Sequence, residues 1–298
     1  MLAIVQGLAE LLPVSSSAHV VVAERLMGLD PSTPAMTLLL VMLHTGTMFA
    51  VIVYFWRQWA QTYFSSADAF KRFLIRLVWA TALTGVVGEA LIKVIEHTLF
   101  RGAPKAQIED LFGRLDLVAP ALAAAGLLIL IAGLREKKAG AAASETVANL
   151  AGSITRRAEG SVTMGQAGWM GLMQGLALPF RGFSRSGVTI SAGMLTGAAK
   201  ERAKRFSFAM AVAITPLAIG REALRLLHAK KDAAAMGMPI DLHATAMMSL
   251  LGAVCAFLAG LVALKWLSSW LENGRWYLFG IYCLAASGVV FWLRTRGY

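Results

Sequence analysis

Long apolar blocks dominate the chain, and short polar clusters separate them. Six blocks are long enough to cross a ~30 Å hydrocarbon core as helices. They cover about 36–56, 73–95, 115–134, 206–227, 244–267 and 276–293. Two further apolar stretches are broken in the middle. The first runs Gln6-Gly7-Leu8-Ala9-Glu10, meets Pro13, and restarts at Ser15-Ser16-Ser17. The second runs Gln174-Gly175-Leu176-Ala177, meets Pro179, and restarts at Ser184-Arg185-Ser186. Proline cannot continue a helix, and serine is a preferred N-cap for the next one. The restarted helices, about Ala18–Met27 and Gly187–Leu195, stop near Gly28 and Gly197, where glycine suits a C-cap. Ten helical residues rise only ~15 Å, half of the hydrocarbon core. Each broken stretch is therefore expected to dip into the membrane as a re-entrant helical hairpin.

The pattern predicts an all-α polytopic membrane protein in two halves. Residues 1–134 form the first repeat, with a hairpin over about 1–28 and three spans. Residues 163–298 form the second, with a hairpin over about 163–199 and three spans. Between them, 135–162 is a linker rich in Ala, Ser, Gly and basic residues. A hairpin returns to its own side, so three transmembrane helices per half turn the second half upside down. That is an inverted-topology repeat, whose sites form at mid-membrane between broken helices.

Composition agrees, with 57% of residues hydrophobic and only 15% charged. The formal charge of +11 raises the question of nucleic acid. However, the basic residues lie in short clusters between apolar blocks, which suits membrane orientation and anionic lipid. No nucleic-acid partner is expected. One side collects fifteen Lys and Arg and the other eleven, which places the first group, including the linker, in the cytoplasm. Cys255 and Cys283 both lie in apolar spans, so no disulfide framework is implied. Residues 1–12 lack a basic region, and no cleavable signal peptide is expected.

The chemistry concentrates in the two turns. Inverted hairpins would aim the N-termini of their second helices at each other, each with unpaired N–H groups and about +0.5 charge. With Ser15, Ser16, Ser17, Ser184 and Ser186, these ends make an anion site, and Arg185 adds a permanent cation suited to phosphate oxygens. Glu10 follows Gln6 by one helical turn and shares its face. A carboxylate beside an anion site makes sense as a metal ligand or as a proton acceptor. His19 is a second group able to exchange a proton there. Serines at membrane helix breaks also simply cap backbone groups, and a histidine in an apolar segment is commonly just hydrogen-bonded. Their conjunction in matching repeat positions favours a site.

At these residues the chain resembles the bacterial undecaprenyl-diphosphatase family, the bacitracin-resistance proteins. One signature is met by Gln6, Glu10, Pro13, Ser15, Ser16 and His19. The other is met by Gly182, Ser184, Arg185, Ser186 and Thr189. Arg181 stands where the family has proline, and Ala18 where it often has glycine. Arg205 stands where relatives often carry an acid. The resemblance implies a phosphatase of the bacterial cytoplasmic membrane that removes the terminal phosphate of undecaprenyl diphosphate. The product is the lipid carrier for peptidoglycan, and its recycling underlies bacitracin resistance. It implies a divalent cation, Mg2+ or Ca2+, a site reached from the outer, periplasmic face, and leaves a homodimer open. By resemblance, Glu10 and Gln6 stand at the metal and diphosphate, with Ser16 as candidate nucleophile, a Glu10-activated water as the alternative, and His19 as acid or base. Arg185 clamps the diphosphate with Ser184, Ser186 and Thr189, while Ser15 and Ser17 complete its binding. The rival expectation is a transporter or flippase of polyprenyl phosphate lipids that uses the same anion site.

Overall fold

A computed structural model describes residues 1–29, 34–99, 114–146, 161–235, 242–271 and 275–296. Within them the regular structure is ten α-helices and no strand. They are α1 (Leu2–Leu11), α2 (Ser16–Leu26), α3 (Pro34–Thr62), α4 (Ala67–Leu99) and α5 (Leu115–Thr146). There follow α6 (Met164–Ala177), α7 (Arg185–Leu195), α8 (Lys200–Ala235), α9 (Leu242–Leu271) and α10 (Trp276–Thr295). Five of them, α3, α4, α5, α9 and α10, carry apolar segments long enough to cross a membrane. The chain is a multi-pass membrane protein. The sixth expected span, 206–227, lies inside α8, and the side chains at 218, 221–223 and 225–227 fall outside the described residues. Large apolar side chains such as Val53, Val86, Leu127, Met248 and Phe291 face outward, as lipid-facing helices require.

Both broken stretches fold as helix–turn–helix. Ser15 caps α2 and Ser184 caps α7, and each adopts a positive φ, 65° and 31°. Gly28 and Gly197 follow the second helices at φ 65° and 89°, the left-handed ending that glycine accepts without strain. A Thr163–Gln166 capping box starts α6. The long helices run further than the apolar pattern alone: α3 continues to Thr62, α4 begins at Ala67 and α5 reaches Thr146. Hydropathy registers only the part of a helix that lipid covers, whereas Arg, Gln, Lys and Ala propagate it into water. The expected 57–72 loop thus shrinks to Tyr63–Ser66. The linker begins as helix, and its residues 147–160 lie outside the described residues.

The helices pack in reciprocal pairs. Helix α1 packs on α9 and α6 on α4, while α3 meets α8 and α5 meets α10. The glycine of each Gln-Gly-Leu-Ala motif explains its presence at these seams. A Cβ on Gly7 would lie 2.7 Å from the Ala256 carbonyl of α9, and one on Gly175 would lie 2.9 Å from the Thr84 carbonyl of α4. Small residues are what let membrane helices approach this closely. The seams hold α1 and α6 rigid beneath their turns.

Candidate active site

The turns of the two hairpins touch. The Gly182 N–H donates to Ser17 Oγ at 3.2 Å, and Ser186 Oγ donates to the Leu12 carbonyl at 3.4 Å. Gly182 sits at φ 104° against the Val118 carbonyl, a place no side chain fits. At this junction the Glu10 side chain, only 8% exposed, collects polar groups from four helices. Gln6 Nε2 donates to Glu10 Oε2 at 2.9 Å, and Ser16 Oγ donates to the same oxygen at 2.5 Å. Arg185 Nη2 donates to Oε1 at 2.5 Å. His44 Nε2, from α3, stands 3.6 Å from Oε2.

The local fold explains the convergence. Each second helix opens on the residue after a left-handed serine, so Ser16 and Arg185 are the first residues of α2 and α7. Counting four residues on from each motif glutamine gives Glu10 in the first hairpin and Leu178 in the second. One hairpin therefore supplies the acid and the hydroxyl, and the other the cation. A buried carboxylate needs such donors, because desolvation without them is costly. Arg185 lines the neighbouring cavity while using Nη2 on Glu10. Its guanidinium has further N–H donors for a second anion.

That cavity is amphipathic. Its polar groups come from Glu10, His44, Thr47, Arg185, Ser186, Ser207 and Thr215, and Met48, Val51, Phe208 and Val212 give it an apolar wall on α3 and α8. Ser15 has no side-chain capping bond, so the first N–H groups of α2 are not covered by it. Ser184 instead accepts from the Gly187 N–H at 3.3 Å.

Five of the ten residues expected from the sequence meet here. Gln6, Glu10, Ser16 and Arg185 form one bonded cluster, and Ser186 joins them at the cavity. Others support it from beside. Ser15 and Ser17 lie 3.2 Å apart, oxygen to oxygen, at the turn. Thr189 donates to the Arg185 carbonyl at 2.8 Å and lies 2.5 Å from Ser207 Oγ. His19 faces another way. Its Nδ1–H donates to the Ser15 carbonyl at 2.8 Å, and its Nε2 accepts from the Tyr282 hydroxyl at 2.6 Å, with the rings stacked. The charge of Arg181 acts across the hairpins on Glu24, whose carboxylate is buried without a hydrogen-bond partner.

His44 is an ionisable cavity residue that the motifs do not mark. A signal existed, since an ionisable residue within an apolar span is a functional candidate by default. Its Nδ1–H donates to the Leu40 carbonyl at 2.8 Å, which fixes the ring with Nε2 toward Glu10.

The donor set bears on the divalent cation that the resemblance implies. Among the described residues no cluster of three or more His, Cys, Asp or Glu forms a metal cage. Glu10 is the one carboxylate lining the cavity, but Gln6 Oε1 is buried and accepts no hydrogen bond. A carboxylate and an amide oxygen suit a hard cation that takes its other ligands from substrate phosphates and water.

Ten helices among the described residues, four of them forming two broken pairs whose turns meet on one carboxylate, define a polytopic membrane protein with a buried polar site. The chain belongs to the bacitracin resistance protein BacA family, whose model matches residues 1–289. It is 52% identical to undecaprenyl-diphosphatase 2 of Acinetobacter baylyi over 289 residues, covering 97% of this chain and 94% of the relative. The undecaprenyl-diphosphatases of Acidiphilium cryptum and Desulfosudis oleivorans are 35% and 32% identical. Those matches cover 94% and 99% of this chain, and 92% and 97% of the relatives.

Proposed function

We propose that this protein is a membrane phosphatase that hydrolyses undecaprenyl diphosphate to undecaprenyl phosphate and inorganic phosphate. The observation that carries this reading is that Glu10, bonded by Ser16 and Arg185, lines a cavity with Arg185 where polar and apolar side chains meet. The apolar wall suits a prenyl tail, and the Arg185 cation suits its diphosphate. Family membership and the names of the relatives point to the same substrate.

The mechanism follows from which atoms face each other. Ser16 Oγ attacks the terminal phosphorus as Glu10 Oε2 takes its proton, and the bond from that phosphorus to the bridging oxygen breaks. Undecaprenyl phosphate leaves, and a phosphoseryl group remains on Ser16. Glu10 passes the first proton to the departing undecaprenyl phosphate. Water then attacks the phosphoserine as Glu10 takes one of its protons. The bond from phosphorus to Ser16 Oγ breaks, Glu10 returns that proton to Ser16 Oγ, and inorganic phosphate departs. Arg185 stabilises the equatorial phosphoryl oxygens with the donors that Glu10 does not use. The uncapped N–H groups of α2 offer further hydrogen bonds to the anion. Gln6 holds Glu10 in place, and His19 holds the Ser15 turn that orients Ser16. Glu10 and Gln6 would hold Mg2+ or Ca2+, which when bound would offset charge on the diphosphate.

The site is built on an inverted-topology repeat. Exchanging the halves turns the α1–α9 contact into α6–α4 and leaves the α3–α8 and α5–α10 contacts in place, which supports this reading. The enzyme works in the bacterial cytoplasmic membrane with its site open to the periplasmic face. Its product re-enters the lipid-carrier cycle of peptidoglycan synthesis, and this recycling counters bacitracin.

The test is phosphate release from a long-chain prenyl diphosphate by purified protein in detergent with Mg2+. Release is expected from the parent and not from Arg185→Ala. A folded parent that binds the lipid and releases no phosphate would overturn the proposal.

A further inference from the structure

Glu10 and His44 turn two electron-pair donors toward each other. The Nδ1 atom of His44 lies 2.8 Å from the Leu40 carbonyl, a partner that can only accept, so this nitrogen carries a proton. In the neutral ring, Nε2 then presents its lone pair, 3.6 Å from Glu10 Oε2. Two lone pairs that face each other at this distance repel unless a positive centre joins them. A proton on Nε2 is one such centre, and a metal ion is another.

The surroundings favour the ion. A histidine that binds a metal almost always donates its other ring N–H to a backbone carbonyl, a carboxylate or water, as His44 does. Two donors each about 2.0–2.2 Å from one ion stand no more than about 4 Å apart, which the separation here satisfies. A third donor lies one helical turn before Glu10, where Gln6 Oε1 is buried and accepts no hydrogen bond. The His44 side chain is 43% exposed, so it reaches Glu10 from the cavity side, where water and phosphate oxygens have access.

The bonds already on Glu10 leave room for this. Arg185 holds Oε1, while Ser16 and Gln6 Nε2 share Oε2. A carboxylate oxygen has two lone-pair sites. Ser16 keeps one of them, and turning the Gln6 amide to present Oε1 frees the other.

We propose that His44 Nε2 joins Glu10 and Gln6 as a ligand of the divalent cation, and that this nitrogen makes the site prefer a first-row transition-metal ion over Ca2+. Calcium takes oxygen ligands, whereas imidazole suits the transition metals. The inference rests on the phosphatase reading for the remaining ligands, the diphosphate oxygens of the substrate.

The experiment uses the full chain in detergent with Mn2+ and methylenediphosphonate, a diphosphate that is not hydrolysed. Pulsed electron paramagnetic resonance reads the hyperfine coupling of a nitrogen bound to Mn2+, and it needs no turnover. The parent should show imidazole coupling, His19→Gln should keep it, and His44→Gln should lose it. By calorimetry, His44→Gln should weaken Mn2+ by roughly tenfold or more and Ca2+ far less. His44→Glu restores a ligand through oxygen, so it should bind Mn2+ without the coupling. A parent that binds no Mn2+, or binds it without nitrogen coupling, overturns the assignment, as does coupling that persists in His44→Gln. Phosphate release from prenyl diphosphate separates this result from the phosphatase reading. Coupling without release leaves the ion site standing and removes the reaction, whereas release without coupling removes only His44 from the ion.

Discussion

Ser16 and Arg185 open two helices from different halves of the chain, and they bond the two oxygens of one carboxylate, Glu10. The preceding residue in each case is a serine at positive φ, so the same backbone bend delivers a hydroxyl from one side and a guanidinium from the other. Repetition of the turn, with divergence of the residue after it, produces the reactive arrangement.

In the proposed mechanism the guanidinium has two tasks, to hold Glu10 and to meet phosphate. Lysine keeps the charge but lacks the fork that does both at once. Arg185→Lys should therefore lower kcat by roughly 10²-fold, and Arg185→Ala by about 10³-fold, the range for losing one such electrostatic donor. Steady-state phosphate release, with circular dichroism to confirm folding, checks the order of the two variants.

The two histidines should behave differently. His44 faces the cavity and Glu10, and its Nδ1–H bonds the Leu40 carbonyl of its own helix. His44→Gln should cut turnover by about tenfold or more with little change in thermal unfolding. His19 ties the Ser15 turn to α10 through Tyr282. His19→Ala should lower turnover and the unfolding temperature together, and Tyr282→Phe should reproduce part of that fall. Unfolding curves in detergent, measured beside activity, separate the two patterns.

Backbone strain at Ser15 gives a stability test. A non-glycine residue at positive φ costs on the order of 1 kcal/mol, and Ser15 makes no side-chain capping bond to offset it. Ser15→Gly should hold or raise the unfolding temperature, whereas Ser15→Val should lower it. Ser184→Gly should gain less, because Ser184 accepts from the Gly187 N–H. Glycine at the seams acts in the opposite sense. Gly7→Ala and Gly175→Ala should each destabilise by roughly 1–3 kcal/mol through overpacking, while Leu8→Ala, at a 40% exposed position, should cost little.

Cation binding should depend on the substrate. With Glu10 the only carboxylate lining the cavity, Mg2+ affinity for the protein alone should be about millimolar or weaker. Calorimetric titration should show tighter binding once methylenediphosphonate is present. Micromolar binding without it would point to ligands that the cavity does not show.

Much of this was legible in the sequence because it is local. The prolines at 13 and 179, the serine caps and the closing glycines are backbone effects of single residues, and they appear where expected. The Gln6–Glu10 pairing follows from helix periodicity alone. What local pattern does not carry is the lateral packing of helices far apart in sequence. That packing turns His19 to Tyr282 and brings His44 to Glu10.

The most direct test of the central claim is single-turnover phosphate release by Ser16→Ala, measured beside the parent and Glu10→Gln with saturating prenyl diphosphate. If Ser16 attacks and Glu10 takes its proton, both variants should fall by about 10³-fold or more while still binding the lipid. A Ser16→Ala rate within tenfold of the parent, with Glu10→Gln inactive, would remove the serine from the chemistry and contradict the account.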